Sequence, residues 1–235
     1  MTSFNADSSQ KREYRAHLTH QRDLFHAWML KDLDFSRPWE MPRLKATHAH
    51  PKALVPFSVA MSRDWVDFDC FVHFYEDDFR FERIWNDPKK YLPKLAKFDG
   101  VIMPDFSTCI DFPRPLKLWN AYRNQLLGAW LQSEKLSVIP NARYQPDCDW
   151  LVEGLPRESV IAICGRGLTK NLDERRRFVR DVKATVEALA PAAIVYYGSE
   201  QFGVMDYPRK LGITVWSYPG AGRGKEKGGK SGQWS

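Results

Sequence analysis

Gly100-Val-Ile-Met-Pro-Asp105-Phe-Ser107, then Pro115 through Lys135, then Ser137-Val-Ile-Pro-Asn141-Ala-Arg143 read as strand, polar elbow, long helix and strand. A short apolar run ending in polar residues, an amphipathic stretch, and a second such run make a βαβ unit. A helical crossover returns the chain to the same end of the sheet, so its two strands are expected to be parallel. In parallel α/β folds the ligand site lies at the carboxyl ends of the strands. Asp105, Ser107, Asn141 and Arg143 all fall at such ends.

Working outward, the same logic extends to both sides. Phe57 to Met61 reads as a first strand and Cys70 to Tyr75 as a second, the latter apolar throughout, as a strand covered on both faces should be. Asp87-Pro88 starts a helix running to Lys97, with Pro in the first turn. Beyond the central unit, Tyr144 to Arg157 is irregular, and Ser159 to Cys164 is another buried strand that closes in Gly165-Arg-Gly167. Asn171 or Asp173 caps a helix reaching Ala190, whose apolar face carries Phe178, Val182, Val186 and Leu189. Ala193 to Tyr197, ending in Gly198-Ser199, and Gly212 to Ser217 complete about six strands. The fold class is α/β, a mostly parallel sheet flanked by helices, either open and doubly wound or shaped as an incomplete barrel.

Three regions follow. Residues 1–55 form an N-terminal helix, from Lys11 to Lys31, and a Pro-rich extended connector; 56–220 form the α/β domain; 221–235 form a basic, Gly-rich flexible tail. The chain has 235 residues, 43% of them hydrophobic and 14% aromatic, enough for a substantial core. Its net charge of +6 is concentrated at the ends. Residues 1–55 carry nine Lys and Arg against six Asp and Glu, and the tail carries Arg223, Lys225, Lys227 and Lys230 against Glu226. The domain between them is neutral, which argues against nucleic-acid binding across its whole face and leaves contact through the termini, with Trp234 available to stack on a base.

The four cysteines, at 70, 109, 148 and 164, show no Cys-x-x-Cys spacing, so neither a zinc knuckle nor a disulfide framework is expected. The first residues lack a basic-then-apolar leader pattern, and no apolar run is long enough to span a bilayer. These features lead to the expectation of a cytoplasmic protein with no membrane partner. His48-Ala-His50 has no third ligand nearby and reads as two exposed loop histidines.

The acidic and polar strand ends carry the chemistry. Asp78 and Asp105 on neighbouring strands suit a split between general acid and general base, because adjacent carboxylates push each other's pKa values apart. The same pair suits a hard divalent cation such as magnesium. Asp77, Ser107, Asn120, Arg123, Asn141, Arg143 and Ser199 are candidate substrate contacts, with Arg143 or Arg123 able to grip a phosphate or carboxylate through two nitrogens. The competing reading is structural: Asp77 and Asp78 cap the following helix, Asp105 and Asn141 close turns after proline, and Asn120 and Asn124 tie their helix to a strand end. No Gly-x-Ser-x-Gly elbow or Walker A spacing occurs, which disfavours a Ser-His hydrolase or a phosphate loop.

Several of these segments resemble one family. Phe74-Tyr75-x-Asp77-Asp78-Phe79-x-Phe81-Glu82-Arg83-x-Trp85-Asn86-x-Pro88, Pro104-Asp105-Phe106-Ser107, Trp119-Asn120-x-Tyr122-Arg123-Asn124, Val138-Ile139-Pro140-Asn141 and Tyr197-Gly198-Ser199 occur in that order. They are similar to a domain-of-unknown-function family, number 4417 in its series, of bacteria, phages and mobile elements. Gln125, Tyr144 and Gly165-Arg-Gly167 depart from its pattern. The resemblance implies a mobile-element setting and supplies no activity. Two functions are therefore carried forward: a hydrolase-like enzyme acting on a phosphate- or sugar-containing substrate, with a small-molecule ligand as its partner, and a non-catalytic module that binds DNA or RNA through its basic ends.

Overall fold

The computed structural model describes residue 23 and residues 25–168 and 171–220. The elements labelled here are β1 Leu54–Pro56, α1 Phe57–Ala60, β2 Phe71–His73, α2 Asp78–Asn86, α3 Pro88–Leu95, β3 Gly100–Ile102 and α4 Arg114–Ser133. They continue with β4 Val138–Ile139, α5 Trp150–Glu153, β5 Val160–Cys164, α6 Leu172–Leu189, β6 Ala193–Tyr197, α7 Asp206–Lys210 and β7 Thr214–Tyr218. The strands form two all-parallel sheets, β1-β2-β3-β4 and β5-β6-β7. A parallel bridge between Asn141 and Ala162 joins them, with Ala162 N–H donating to the Pro140 carbonyl at 2.7 Å and Ala142 N–H to the Ala162 carbonyl at 2.8 Å.

Strand order thus follows chain order, with none of the reversal that a doubly wound sheet needs. The surface curls. Tyr75, just past β2, stacks on Tyr197 at the end of β6, so strands far apart in the sheet face each other. Phe71, Ile102, Ile139, Val160, Ala162 and Val195 form a cluster inside the curl. The intervening residues Val72, Val101, Val138, Ile161 and Ile194 face outward, against the helices. Period-two alternation with both sets apolar is what a barrel wall requires. No ladder joins β7 back to β1 among the described residues, so the barrel is incomplete. Side chains cross that seam instead: His50 stacks on Trp216 at 3.9 Å, and the Tyr218 hydroxyl donates to the Pro51 carbonyl.

Three sequence expectations need correction. The first strand is Leu54–Pro56, and Phe57–Ala60 is a helical turn. Pro56 has no N–H to extend the ladder, and burying both Phe57 and Ala60, three residues apart, suits helical spacing. The strand count is seven rather than about six, one for each of the apolar runs named from the sequence, with the last run present as β7. The irregular stretch after Arg143 includes the short helix α5, which buries Trp150 and Leu151. Of the expected N-terminal helix, residues 23 and 25–31 are described and hold only a single 3-10 turn, Ala27–Leu30; residues 11–22 and 24 lie outside the described residues, as does the tail 221–235. Among the described residues no helix is long and apolar enough to cross a membrane.

Candidate functional site at the mouth of the incomplete barrel

Because every strand runs the same way, the carboxyl ends of β2, β3, β4, β5 and β6 rise to one mouth. Asp105 lies just past β3, with a side chain only 13% exposed. One carboxylate oxygen accepts from Asn141 Nδ2 at 2.9 Å, and the other faces the Arg143 guanidinium at 3.3 Å. Asn141 in turn accepts from the Tyr75 hydroxyl at 2.9 Å. Arg166, beyond β5, donates to the Tyr75 carbonyl at 2.8 Å. Tyr75, Asp105, Asn141 and Arg143 thus form one connected group, drawn from the ends of three strands.

Its electrostatics are set by burial. Burial raises the Asp105 carboxyl above its ordinary value, more strongly than Arg143 and the Asn141 hydrogen bond lower it, and the Asp78 charge raises it further. Asp105 in turn favours the charged form of Arg143. Of the two effects on this pair, desolvation governs Asp105, because the carboxylate is nearly enclosed while Arg143 keeps 32% of its side chain exposed. Burial also pushes the Tyr75 phenol up and the Cys164 thiol to about 12, so both hold their protons at neutral pH. His73 inside the barrel is driven down to about 3, chiefly by burial and then by the Arg166 charge. It is a neutral imidazole whose Nδ1 accepts from Tyr75 N–H at 3.1 Å.

The remaining predicted residues divide by position. Asp78, in the first turn of α2, accepts from Ser107 N–H at 3.1 Å and from the Ser107 hydroxyl at 2.9 Å. The Asn120 amide donates to the Ser107 carbonyl, and Arg123 donates to Asn120 Oδ1 at 3.0 Å and to Glu82 at 3.1 Å. Arg123 also lies 3.5 Å over the Phe106 ring. Asn124 accepts from Phe106 N–H at 2.8 Å and donates to Phe106 C=O at 3.1 Å, replacing the ladder partners this irregular backbone lacks. These side chains form a harness that holds the Asp105-Phe106-Ser107 elbow against α2 and α4, and so aims Asp105. Asp77 is exposed at the N-cap of α2 and makes no capping bond. Ser199 is exposed, and its hydroxyl accepts from Gln201 N–H at 3.3 Å. Arg223, Lys225, Lys227, Lys230 and Trp234 lie outside the described residues. His48 is exposed. Among the described residues, no three or more His, Cys, Asp or Glu side chains are grouped to hold a metal ion, so the divalent-cation reading has only the Asp78 and Asp105 carboxylates to draw on.

Beside the mouth lies a cavity of about 260 Å³, between the ends of β4 and β5 and one face of α6. Arg143 lines it as well as meeting Asp105. From α6 it receives Glu174, Arg177, Phe178, Asp181, Val182 and Thr185, which repeat at intervals of three and one. Burial raises the Asp181 carboxyl against the pull of Arg180, Arg177 and Arg143. Asp181 and the cavity residue Gln145 were not singled out in the sequence. An available signal for Asp181 was an acid three residues after Phe178 and one before Val182, at the edge of an apolar stripe. Gln145 sits in an irregular stretch with no periodicity to mark it.

Domain of unknown function DUF4417 matches residues 33–218, and the chain belongs to that family. It is 30% identical over 187 residues to the Gene 1 protein of Mycobacterium phage L5, covering 78% of this chain and 82% of that one. It is also 30% identical over 166 residues to the Gene 1 protein of Mycobacterium phage D29, covering 69% of this chain and 62% of the phage protein. No solved structure matches.

Proposed function

We propose that this member of a phage-associated family is a hydrolase-like enzyme acting on a phosphate- or sugar-containing small molecule, with Asp105 as its acid–base group. The observation that carries the reading is a nearly enclosed carboxylate at a parallel-strand end, raised in pKa by burial yet held beside a guanidinium. A carboxylate that gains basicity in this way takes up a proton more readily than an exposed one. As the base, Asp105 removes a proton from the attacking water and returns it to the leaving oxygen. Arg143 holds the anionic group of the substrate, and Asn141, oriented by the Tyr75 hydroxyl, keeps Asp105 pointed. Asp78 acts through Ser107 as a positioning residue for the elbow.

The test is a screen of aryl phosphates, phosphodiesters and glycosides, followed by comparison of wild type with Asp105→Asn. A general acid–base group contributes about 10²- to 10⁴-fold, so kcat should fall by that factor. The wild-type profile should rise with pH along a limb lying above the ordinary aspartate value of about 3.9. An Asp105→Asn protein that turns over at the wild-type rate would refute the assignment. The nucleic-acid reading rests on the basic ends, most of which lie outside the described residues, and no described feature favours it.

A further inference from the structure

The cavity beside Asp105 is lined by charged groups with bonding capacity to spare. Arg143 spends one nitrogen on Asp105, while its Nε and Nη1 bond nothing among the described residues and are not enclosed. Arg177 is exposed, lines the same cavity, and makes no hydrogen bond or ion pair among the described residues. Asp181, with a side chain 24% exposed, takes both Arg180 bonds on Oδ1; its Oδ2 takes none and is likewise open. Glu174, Arg177 and Asp181 follow one another along the cavity face of α6. At 1.5 Å per residue they stand about 4.5 Å and then about 6 Å apart along the helix axis. That face offers acceptor, donor and acceptor in turn, beside an apolar wall of Ile163, Phe178 and Val182.

We propose that this cavity binds a sugar phosphate, its phosphate taken by Arg143 and Arg177 and its hydroxyls by Asp181 and Glu174. This rests on the mouth being the catalytic site, and it names the substrate class for that site. Of the two lining guanidiniums, Arg177 has no carboxylate at ion-pair distance among the described residues, so its charge is open to an anion. A phosphate monoester, with three terminal oxygens and more than one negative charge, can occupy two guanidiniums at once. A carboxylate only accepts, and a sugar hydroxyl supplies the donor it needs. The apolar wall covers the C–H face of the ring. A cavity of about 260 Å³ falls just below the about 300–1,000 Å³ of sites that enclose a drug-sized ligand, which suits one ring with its phosphate. The phosphate on Arg143 then neighbours Asp105. Water adds to phosphorus, the bond from phosphorus to the sugar oxygen breaks, and Asp105 passes the proton of that water to the departing oxygen.

Calorimetry on the full chain tests this with ribose 5-phosphate, phenyl phosphate and ribose. Ribose 5-phosphate should bind at least about tenfold tighter than either of the others. It should also slow alkylation by iodoacetamide of Cys109, an exposed thiol of the cavity lining. Arg177 is exposed, so its replacement leaves the core intact. Arg177→Gln should weaken ribose 5-phosphate and phenyl phosphate alike, by about 10- to 100-fold, as loss of a hydrogen bond between charged groups does. Asp181→Asn should weaken ribose 5-phosphate alone. Equal binding of ribose 5-phosphate and phenyl phosphate, or wild-type affinity in Arg177→Gln, would overturn the proposal. Tight binding of ribose 5-phosphate that protects Cys109 without hydrolysis would refute the proposed reaction and keep the sugar-phosphate site. Hydrolysis of phenyl phosphate that depends on Asp105, with no preference for ribose 5-phosphate, would do the reverse.

Discussion

The rings of Tyr75 and Tyr197 stack with centroids 5.1 Å apart, although their strands, β2 and β6, stand four positions apart across the joined sheets. In a flat sheet, four spacings of about 4.8 Å would separate them by roughly 19 Å. The contact measures the curl that makes a mouth out of separate strand ends. Tyr197→Ala removes a buried ring that touches both Tyr75 and His73. It should cost about 3–5 kcal/mol in urea unfolding, as other buried aromatic-to-alanine changes do. A loss below about 1 kcal/mol would mean that the interior contact does not hold the curl.

The Asp78 carboxylate receives two hydrogen bonds from Ser107. Bonds to a charged group are worth about 1.5–3 kcal/mol when buried and less where water competes, as it does at these half-buried residues. A double-mutant cycle of Asp78→Ala and Ser107→Ala should show coupling of about 1 kcal/mol in stability. In the active protein, both single variants should lower kcat through misplacement of Asp105. Additive effects on stability would separate the two residues.

His73 folds as the neutral form, with its pKa lowered to about 3 from an ordinary 6.5. Between those values the unfolded chain binds a proton that the folded one refuses. Folding stability should therefore fall as pH drops through this window, by up to about 1.4 kcal/mol per pH unit. Melting temperatures of wild type and His73→Phe, measured from pH 7 to pH 4, should converge or cross on the acid side. Parallel curves would place the acid sensitivity elsewhere.

Gly100 opens β3 facing the barrel interior, where an added Cβ would collide with the Phe71 ring and lie 2.7 Å from the Ser137 carbonyl oxygen. That oxygen belongs to backbone, already bonded to Val101 N–H at 2.8 Å, and cannot easily give way. Gly100→Ala should destabilise by about 1–3 kcal/mol through overpacking, read from the denaturation midpoint. A neutral result would show that β3 can slide, which the close β3–β4 pairing argues against.

Much of this was legible in the chain. The all-apolar runs at 101–103, 138–139, 160–163 and 193–197 announced strands covered on both faces, hence parallel. The Asp87-Pro88 and Asn171 helix starts are where the sequence put them, with both side chains capping. Both members of the Asp105–Asn141 pair were legible as strand ends, though not as partners. The turn at Phe57 was misread because a four-residue apolar run has no period long enough to distinguish strand from helix.

Local pattern thus determined every strand but the first, that they run parallel, and that acids and amides crown them, because alternation and apolarity are properties of neighbouring residues. Only the tertiary structure decided that the sheet curls, that Asp78 serves Ser107 while Asp105 meets Arg143, and that Gln145 and Asp181 share a cavity. Those outcomes depend on twist accumulated over seven strands and on contacts between residues up to more than a hundred positions apart, which no window of sequence contains.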